Sequence, residues 1–374
     1  MAMTDEEYML RAVELAKKGT GWTNPNPLVG AVIVKGGRII GEGYHKKYGG
    51  LHAEREALAS ANEDVSGATI YVTLEPCCHY GKQPPCVNAI IEAKIKRVIV
   101  GSGDPNPLVA GKGIQILREH GIEVVENVLK DECDKLNEIF MYYIQHKRPF
   151  VAMKYAMTMD GKIATYKGLS KWITGEKARE HVHKLRHRYK AIMAGIGTVL
   201  ADDPLLTCRI EDGIDPVRII CDSDLRIPLD SQIVKTAKDI PTIAVYCEDN
   251  KAGLLDKIEK LKANGVETLC IGKKDGHIDL NELMYELGKR DIDSILLEGG
   301  GTLNWSALDS GIVNKVYTYI APKLFGGKEA KTPIEGRGTD CPQNAALLKN
   351  GKVMMLGDDL LIESEVLNNV YGNS

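Results

Sequence analysis

Two short segments carry residues that could hold one metal ion. His52 lies in His52-Ala53-Glu54, and Cys77 and Cys86 lie in Pro76-Cys77-Cys78 and Pro85-Cys86. One imidazole and two thiolates make three zinc ligands. A structural zinc site usually closes with four protein ligands, whereas a catalytic one leaves a position for water. Zinc brings the acidity of that water near neutrality, and the resulting hydroxide can attack an amidine-like ring carbon bearing an amino group. Glu54, two residues past His52, is placed to take the water's proton and pass it to the ring nitrogen and the leaving amine. The chemistry so predicted is zinc-dependent hydrolytic deamination. A structural zinc knot closed by His79 or His45 is the alternative, and it leaves Glu54 without a purpose. Cys78 adjoins Cys77, but adjacent side chains rarely bind one ion well, so Cys77 is the expected ligand.

Deaminases of this kind usually pair their cysteines as Pro-Cys-x-x-Cys. Here the longer stretch Cys78-His79-Tyr80-Gly81-Lys82-Gln83-Pro84-Pro85 separates Cys77 from Cys86. It puts His79 and Lys82 beside the metal, either as contacts to a phosphorylated or polar substrate or as solvated charges of a long surface loop. A second site is suggested by Glu298-Gly299-Gly300-Gly301-Thr302-Leu303, which follows an apolar run at 294–297 and precedes a helix. Glycine allows close backbone approach and a helix N-terminus attracts phosphate. This is not the dinucleotide fingerprint with three spaced glycines, and an ordinary strand-to-helix turn explains it equally well.

The elements that must position these residues alternate along the chain. Thr4-Asp5-Glu6-Glu7 is a capping box that opens a first helix, with Gly19 as its stop. Strands are expected at 28–34 and 38–43, joined at Lys35-Gly36-Gly37, then at 68–74, 97–101 and 122–128. Helices are expected at 51–61, 87–93, 113–120 and 131–144. Pro149 ends the helical pattern, and a second alternation begins. Its strands are expected at 150–157, 191–194, 217–221, 242–246, 268–271, 294–297, 315–321 and 360–366, and its helices at 176–188, 254–264 and 280–289. Such alternation argues for α/β sheets covered by helices.

A chain of 374 residues is long enough for two domains, and 44% hydrophobic with 26% charged residues is ordinary globular composition. A net charge of -3 gives no bulk basic excess for nucleic acid or membrane. No apolar run approaches a membrane span and the N-terminus lacks signal-peptide regions, so a cytoplasmic protein is expected. Only Cys77, Cys78 and Cys86 of the nine cysteines lie close together, and the others read as small core residues.

At this point the residues resemble a known family. Thr23-Asn24-Pro25-Asn26-Pro27-Leu28-Val29-Gly30-Ala31-Val32, the His52 and Cys77–Cys86 segments with Glu75, and Gly103-Asp104-Pro105-Asn106-Pro107 look like the deaminase half of the bifunctional riboflavin-biosynthesis deaminase–reductases. Met157-Thr158-Met159-Asp160-Gly161-Lys162, Ser170-Lys171-Trp172-Ile173-Thr174-Gly175, Gly197-Thr198-Val199-Leu200-Ala201-Asp202-Asp203-Pro204 and Leu297-Glu298-Gly299-Gly300-Gly301 resemble the reductase half. Cys78 stands where that family more often has Ser.

The resemblance implies a cytidine-deaminase-like three-layer α/β/α domain over 1–146 and a dihydrofolate-reductase-like α/β domain over 150–374. It implies Zn2+ and NADPH as cofactors. The first reaction would convert 2,5-diamino-6-(5-phosphoribosylamino)pyrimidin-4(3H)-one to 5-amino-6-(5-phosphoribosylamino)uracil, and the second would reduce its ribosyl group to ribityl. By motif position it makes Asn26, His45, His79, Lys82, Asp104 and Asn106 deaminase substrate contacts, although each Asn-Pro segment is also ordinary turn chemistry. Ser170, Arg186, Leu206, Arg209 and Glu298 become reductase substrate contacts. Guanidinium forks suit a ribose phosphate, while a solvated basic helix face remains the other reading of Arg186. Ala156, Trp172, Thr198, Asp202, Ser223, Gly299, Gly300, Gly301 and Thr302 become cofactor contacts. Lys154 and Asp202 lie near the expected hydride-transfer site. Partners are phosphorylated pyrimidines, with no nucleic acid and no membrane, in a homo-oligomer. Two rival readings stand beside this one. The first is a tRNA or nucleoside deaminase with an unrelated extension. The second is a zinc-stabilised nucleotide-binding or regulatory protein in which one half has lost catalysis.

Overall fold

Thr4 starts the first helix, α1 (Asp5–Lys17), as its sequence predicts: its hydroxyl accepts from the Glu7 N–H at 3.3 Å and the Glu7 carboxylate accepts from the Thr4 N–H at 2.8 Å. A computed structural model describes residues 3–80, 84–247 and 253–367, and the chain divides into two compact units, Met1–Lys147 and Arg148–Ser374. Gly19 follows α1 for lack of space: a Cβ there would lie 2.4 Å from the His45 carbonyl oxygen.

The first unit continues as β1 (Gly30–Lys35), β2 (Arg38–Tyr44), α2 (Ala53–Ala59), β3 (Thr69–Leu74), α3 (Cys86–Glu92), β4 (Arg97–Ser102), α4 (Lys112–Glu119), β5 (Glu123–Val125), α5 (Lys130–Leu136) and α6 (Glu138–His146). Gly36 and Gly37 join β1 to β2 with φ of +57° and +75°, a tight turn that needs left-handed backbone at both positions. The sheet order is β2-β1-β3-β4-β5, antiparallel through β3 and parallel from β3 to β5. Strand residues alternate between two cores because side chains along a strand point to opposite faces. Ala31, Ile33, Ile70, Val72, Val98 and Val100 pack with α2, α3 and α4, whereas Val32, Val34, Tyr71 and Ile99 pack with α1 and α5. Helices therefore cover both faces in three layers.

The single helix expected at 131–144 is two, α5 and α6, broken at Asn137. Asn137 is buried, so its amide needs partners. Its Oδ1 accepts from the Leu28 N–H at 2.8 Å and its Nδ2 donates to the Leu28 carbonyl at 2.9 Å.

The second unit comprises β6 (Phe150–Thr158), α7 (Glu176–Arg188), β7 (Ala191–Gly195), α8 (Ile196–Asp202), β8 (Val217–Cys221), α9 (Gln232–Lys235), β9 (Thr242–Cys247), α10 (Leu255–Ala263), β10 (Val266–Ile271), β11 (Lys273–Lys274), β12 (His277–Ile278), α11 (Leu280–Gly288), β13 (Ser294–Leu297), α12 (Gly301–Asp309), β14 (Val313–Ala321), β15 (Leu347–Leu356) and β16 (Asp359–Leu367). Its nine-stranded sheet has the order β10-β9-β8-β7-β13-β6-β14-β16-β15. It is parallel from β10 to β14, and β16 and β15 are added antiparallel. Alternation again feeds two cores: Met193, Ile219 and Val245 meet α11 and α12, and Ile192, Ile220 and Ala244 meet α9 and α10. Helices α8 and α9 and strands β11, β12 and β15 were not expected. Gly195-Ile-Gly197 reads as a turn, and Asn350-Gly351 interrupts the pattern of β15 where its register shifts. No described helix is long and apolar enough to cross a membrane.

Candidate active sites

In the first unit, His52 is the residue that precedes α2, and Glu54 lies in the first turn of that helix. Cys77 lies in the loop after β3, and Cys86 opens α3. His52 Nδ1 is 3.5 Å from Cys77 Sγ and 3.4 Å from Cys86 Sγ. A tetrahedral zinc with sulfur at about 2.3 Å and nitrogen at about 2.0 Å separates the two by about 3.5 Å, so the donor set fits that ion. Among the described residues these three form the one group of such ligands within reach of a common ion. The backbone N–H of Cys86 donates to Cys77 Sγ at 3.3 Å. Hydrogen bonding with Cys86 holds the Cys77 thiol well below its ordinary value against burial, while the same contact and burial push Cys86 up. Glu54 is 3% exposed, and burial, aided by the Cys77 charge, pushes its carboxyl up to about 7.

Cys78 turns from the cluster: its thiol donates to the Leu108 carbonyl at 3.6 Å. His45 is not a fourth ligand. Its Nδ1 is 2.9 Å from the Leu51 carbonyl, which can only accept, so Nδ1 carries the proton and Nε2 accepts from the Asn26 amide at 3.1 Å. Burial lowers its pKa, which favours this neutral form. His45 and Asn26 are thus joined, and the His45 ring sits edge-on to that of His52 with centroids 5.5 Å apart. His79 is half-buried, with an Nδ1 that has no hydrogen-bond partner among the described residues. Lys82 lies outside the described residues.

Asp104 and Asn106 make successive turns: Asp104 Oδ1 accepts from the Asn106 N–H at 2.8 Å and Asn106 Oδ1 from the Leu108 N–H at 3.1 Å. Burial pushes Asp104 up to about 6, opposed by the Asn106 N–H and helped by the nearby Glu75 charge. Sequence reasoning gave Glu75 no role. It is 4% exposed, and its carboxylate accepts from the N–H groups of Gly111 at 2.9 Å, Gly113 at 3.0 Å and Ile114 at 3.4 Å. The available signal was a carboxylate placed directly before Pro76-Cys77.

The second unit holds a cavity of about 700 Å³ over the ends of its central strands. Ala156, Ser170, Thr198, Asp202, Ser223, Glu298, Gly299, Gly300, Gly301 and Thr302 all line it, as does Lys154. Ser170 Oγ donates to Asp202 Oδ1 at 3.3 Å. Glu298 is gripped from two sides: Arg186 Nε and Nη2 donate to its two oxygens at 2.7 and 3.0 Å, and Lys154 Nζ is 2.8 Å away. Burial alone would raise this carboxyl, but the Arg186 and Lys154 charges win and hold it well below the carboxylate range. Arg186 Nη1 donates to the Thr207 carbonyl at 3.0 Å, so its fork is engaged within the protein.

Trp172, Arg186, Leu206 and Arg209 lie outside the lining of this cavity. Trp172 is exposed, with the Arg179 guanidinium 4.7 Å from its ring centre. Leu206 has a left-handed φ of +53° and its side chain belongs to the core, so any contact from it would run through its backbone. Arg209 is exposed. The glycines that end β13 are required by space: a Cβ on Gly299 would lie 2.9 Å from Asn304 Oδ1, and one on Gly301 2.5 Å from the Glu335 side chain. Gly300 caps α12 without a side-chain bond and faces only Thr198 Oγ1, at 3.8 Å from its would-be Cβ. No side chain at Gly300 caps α12, and Gly300, Gly301 and Thr302 line the cavity, a fit for a phosphate-bearing cofactor.

The chain is similar to known proteins over both units. The family model described as the RibD C-terminal domain matches residues 149–362, and that described as the cytidine and deoxycytidylate deaminase zinc-binding region matches residues 2–102. The riboflavin biosynthesis protein RibD of Actinobacillus pleuropneumoniae is 57% identical over 98% of this chain and 96% of its own. The crystal structure of a diaminohydroxyphosphoribosylaminopyrimidine deaminase/5-amino-6-(5-phosphoribosylamino)uracil reductase from Thermotoga maritima is 41% identical, with a TM-score of 0.85 over 97% of this chain and 99% of that one. RibD of Acinetobacter baumannii is 38% identical, with a TM-score of 0.87 over the same shares.

Proposed function

Because this chain belongs to the RibD family of riboflavin biosynthesis proteins, we propose a division of labour between its two sites and assign roles to their residues. The protein is a bifunctional enzyme, a zinc-type deaminase followed by a reductase in riboflavin biosynthesis. The substrates proposed are 2,5-diamino-6-(5-phosphoribosylamino)pyrimidin-4(3H)-one for the first unit and 5-amino-6-(5-phosphoribosylamino)uracil for the second.

His52, Cys77 and Cys86 would hold Zn2+, which supplies the Lewis acidity that activates water near neutral pH. Glu54 takes the proton of the attacking water and delivers protons to the ring nitrogen and the departing amine. Its burial suits this role, because a carboxyl poised near 7 both accepts and releases a proton. Asn26, fixed by His45, and Asp104 and Asn106, fixed by their turns, offer donors and acceptors to the pyrimidine edge. His79 brings a ring nitrogen that has no partner among the described residues, and Lys82 of the same loop is its proposed companion.

In the second unit NADPH would supply the hydride. Gly299, Gly300, Gly301, Thr302 and Thr198 would hold its phosphates. Lys154, steadied by Glu298, and Asp202, bonded to Ser170, are the polar groups at the reacting end. Arg209 is the freer phosphate contact of the two arginines, since Arg186 is engaged with Glu298. The observation that carries the reading is the juxtaposition of Glu54 with the His52, Cys77 and Cys86 donors.

The test is a coupled assay on zinc-replete protein with the diaminopyrimidine ribosyl phosphate. Ammonia release without NADPH, and ammonia release with nicotinamide oxidation when NADPH is added, are expected. Neither signal with zinc bound would overturn the substrate assignment.

A further inference from the structure

Arg218, on β8, has no exposed surface and belongs to neither proposed site. A guanidinium carries five N–H donors, and here all five are used. Nε donates to Thr242 Oγ1 at 3.0 Å, Nη1 to the Leu205 carbonyl at 3.2 Å and Thr236 Oγ1 at 2.7 Å, and Nη2 to the carbonyls of Ile233 at 3.0 Å and Ile240 at 3.1 Å. None of these acceptors is a carboxylate. Burial, opposed by the Asp215 charge, lowers the Arg218 pKa to about 10, so it stays protonated at neutral pH. A buried cation without a counter-ion is costly, and its removal would strand carbonyls from separate segments.

Four of the five bonds hold α9 and the chain that leads into β9. The fifth reaches the loop after α8. That loop, Asp203-Pro204-Leu205-Leu206-Thr207, is held at alternate residues. Asp203 Oδ1 accepts from the Gln232 N–H at 2.8 Å, the Leu205 carbonyl from Arg218, and the Thr207 carbonyl from Arg186 Nη1 at 3.0 Å. Leu206 lies between the last two. Its φ of +53° is a conformation that leucine keeps only where its surroundings impose it. Its side chain is buried with Ile220, Ile227 and Ile233. Among the described residues no hydrogen bond uses its N–H or its carbonyl. Buried backbone groups are nearly always paired, so these two are available to a ligand. Arg209, three residues on, is exposed, and no ion pair or hydrogen bond among the described residues engages its guanidinium. An N–H group and a guanidinium on one short loop suit a phosphate.

We propose that Arg218 is a positioning residue for the reduction: through the Leu205 carbonyl it fixes the Leu206 backbone against the ribosyl phosphate of the substrate, without touching that substrate itself. The inference rests on the proposed aminouracil substrate and on Leu206 and Arg209 as its contacts.

The experiment measures NADPH oxidation by the full chain with 5-amino-6-(5-phosphoribosylamino)uracil, and competitive inhibition by ribose 5-phosphate. Arg218→Lys keeps the charge but lacks the fork that reaches Leu205 and α9 together. It should raise both the KM for the aminouracil and the inhibition constant of ribose 5-phosphate by about tenfold, with kcat within about threefold and the NADPH dissociation constant, from calorimetry, within about twofold. Thr236→Val removes a different bond of the same guanidinium and leaves the Leu205 bond in place. It should lower the thermal midpoint of the second unit, as Arg218→Lys does, yet leave KM unchanged. An equal rise of KM in both variants would make Arg218 a structural brace only and overturn the proposal. So would an unchanged KM in Arg218→Lys, or loss of NADPH binding along with the rise in KM. A further measurement needs no variant: in the unmodified chain, ribose 5-phosphate should slow amide exchange across residues 205–209, and no slowing there overturns the proposal whether or not Arg218→Lys folds. If the unmodified chain binds NADPH but does not oxidise it with the aminouracil, the substrate reading itself falls, and the inference with it.

Discussion

Glu54 is a carboxyl group almost sealed from water, with the metal-ligating candidates His52, Cys77 and Cys86 as its neighbours. A buried carboxyl in that position has its proton affinity set by its surroundings, and here burial brings it to about 7. Glu54→Gln keeps the shape and removes the proton shuttle. The variant is expected to bind zinc at one ion per chain, measured by atomic emission, and to lose ammonia release by a factor of about 10²–10⁴. Full activity in that variant would refute the hydrolytic role. Residue types and spacing were enough to bring His52, Glu54, Cys77 and Cys86 to one place on paper, because metal ligation restricts both. They were silent on the grip of Arg186 and Lys154 on Glu298. Those partners come from strands and helices far apart in the chain, and no local pattern links them.

Elements matter here through the loops they hold. Glu75 follows β3 and its carboxylate binds the N–H groups at the start of α4, while Gly113 in that helix approaches so closely that a Cβ would lie 2.3 Å from the Pro76 carbonyl. The next residue after Pro76 is the candidate ligand Cys77. Glu75→Ala leaves the N–H groups of Gly113 and Ile114 without their acceptor, at about 1–3 kcal/mol for each buried group left unpaired. Faster zinc loss to a chelator is expected, together with a lower thermal midpoint for the first unit, partial recovery in Glu75→Gln, and unchanged dinucleotide binding. Zinc release as slow as in the unmodified chain would show that the loop holds itself. Most elements were legible from period and punctuation: the Gly36-Gly37 turn, the α1 cap and the strand alternation that feeds two cores. The break at Asn137 was not, because the partner that makes it favourable, the Leu28 backbone, is distant in sequence. Helix α8 was hidden by Gly195 and Gly197, which read as a turn, and strand β15 by Asn350-Gly351.

At the scale of the molecule, the candidate residues divide cleanly. Those from Asn26 to Asn106 belong to the first unit and those from Lys154 to Thr302 to the second, and each unit has its own sheet and its own cores. Composition left room for two domains and gave no bulk basic excess, but only the motifs could say which chemistry belongs to each. The candidates for each site thus fall within one unit, and on the proposed reading the product of the first reaction is the substrate of the second. Glu54→Gln should therefore block conversion of the diaminopyrimidine and leave reduction untouched when the deaminated ribosylaminouracil is supplied with NADPH, with kcat and KM within about twofold of the unmodified chain. The reciprocal variant, Glu298→Gln, leaves Lys154 and Arg186 as uncompensated cations around the reacting end. It should stop nicotinamide oxidation while ammonia release proceeds. A mixture of the two variants should then yield the ribityl product, with a lag while free intermediate accumulates. Loss of reduction in Glu54→Gln on supplied intermediate would mean that the second site depends on the first.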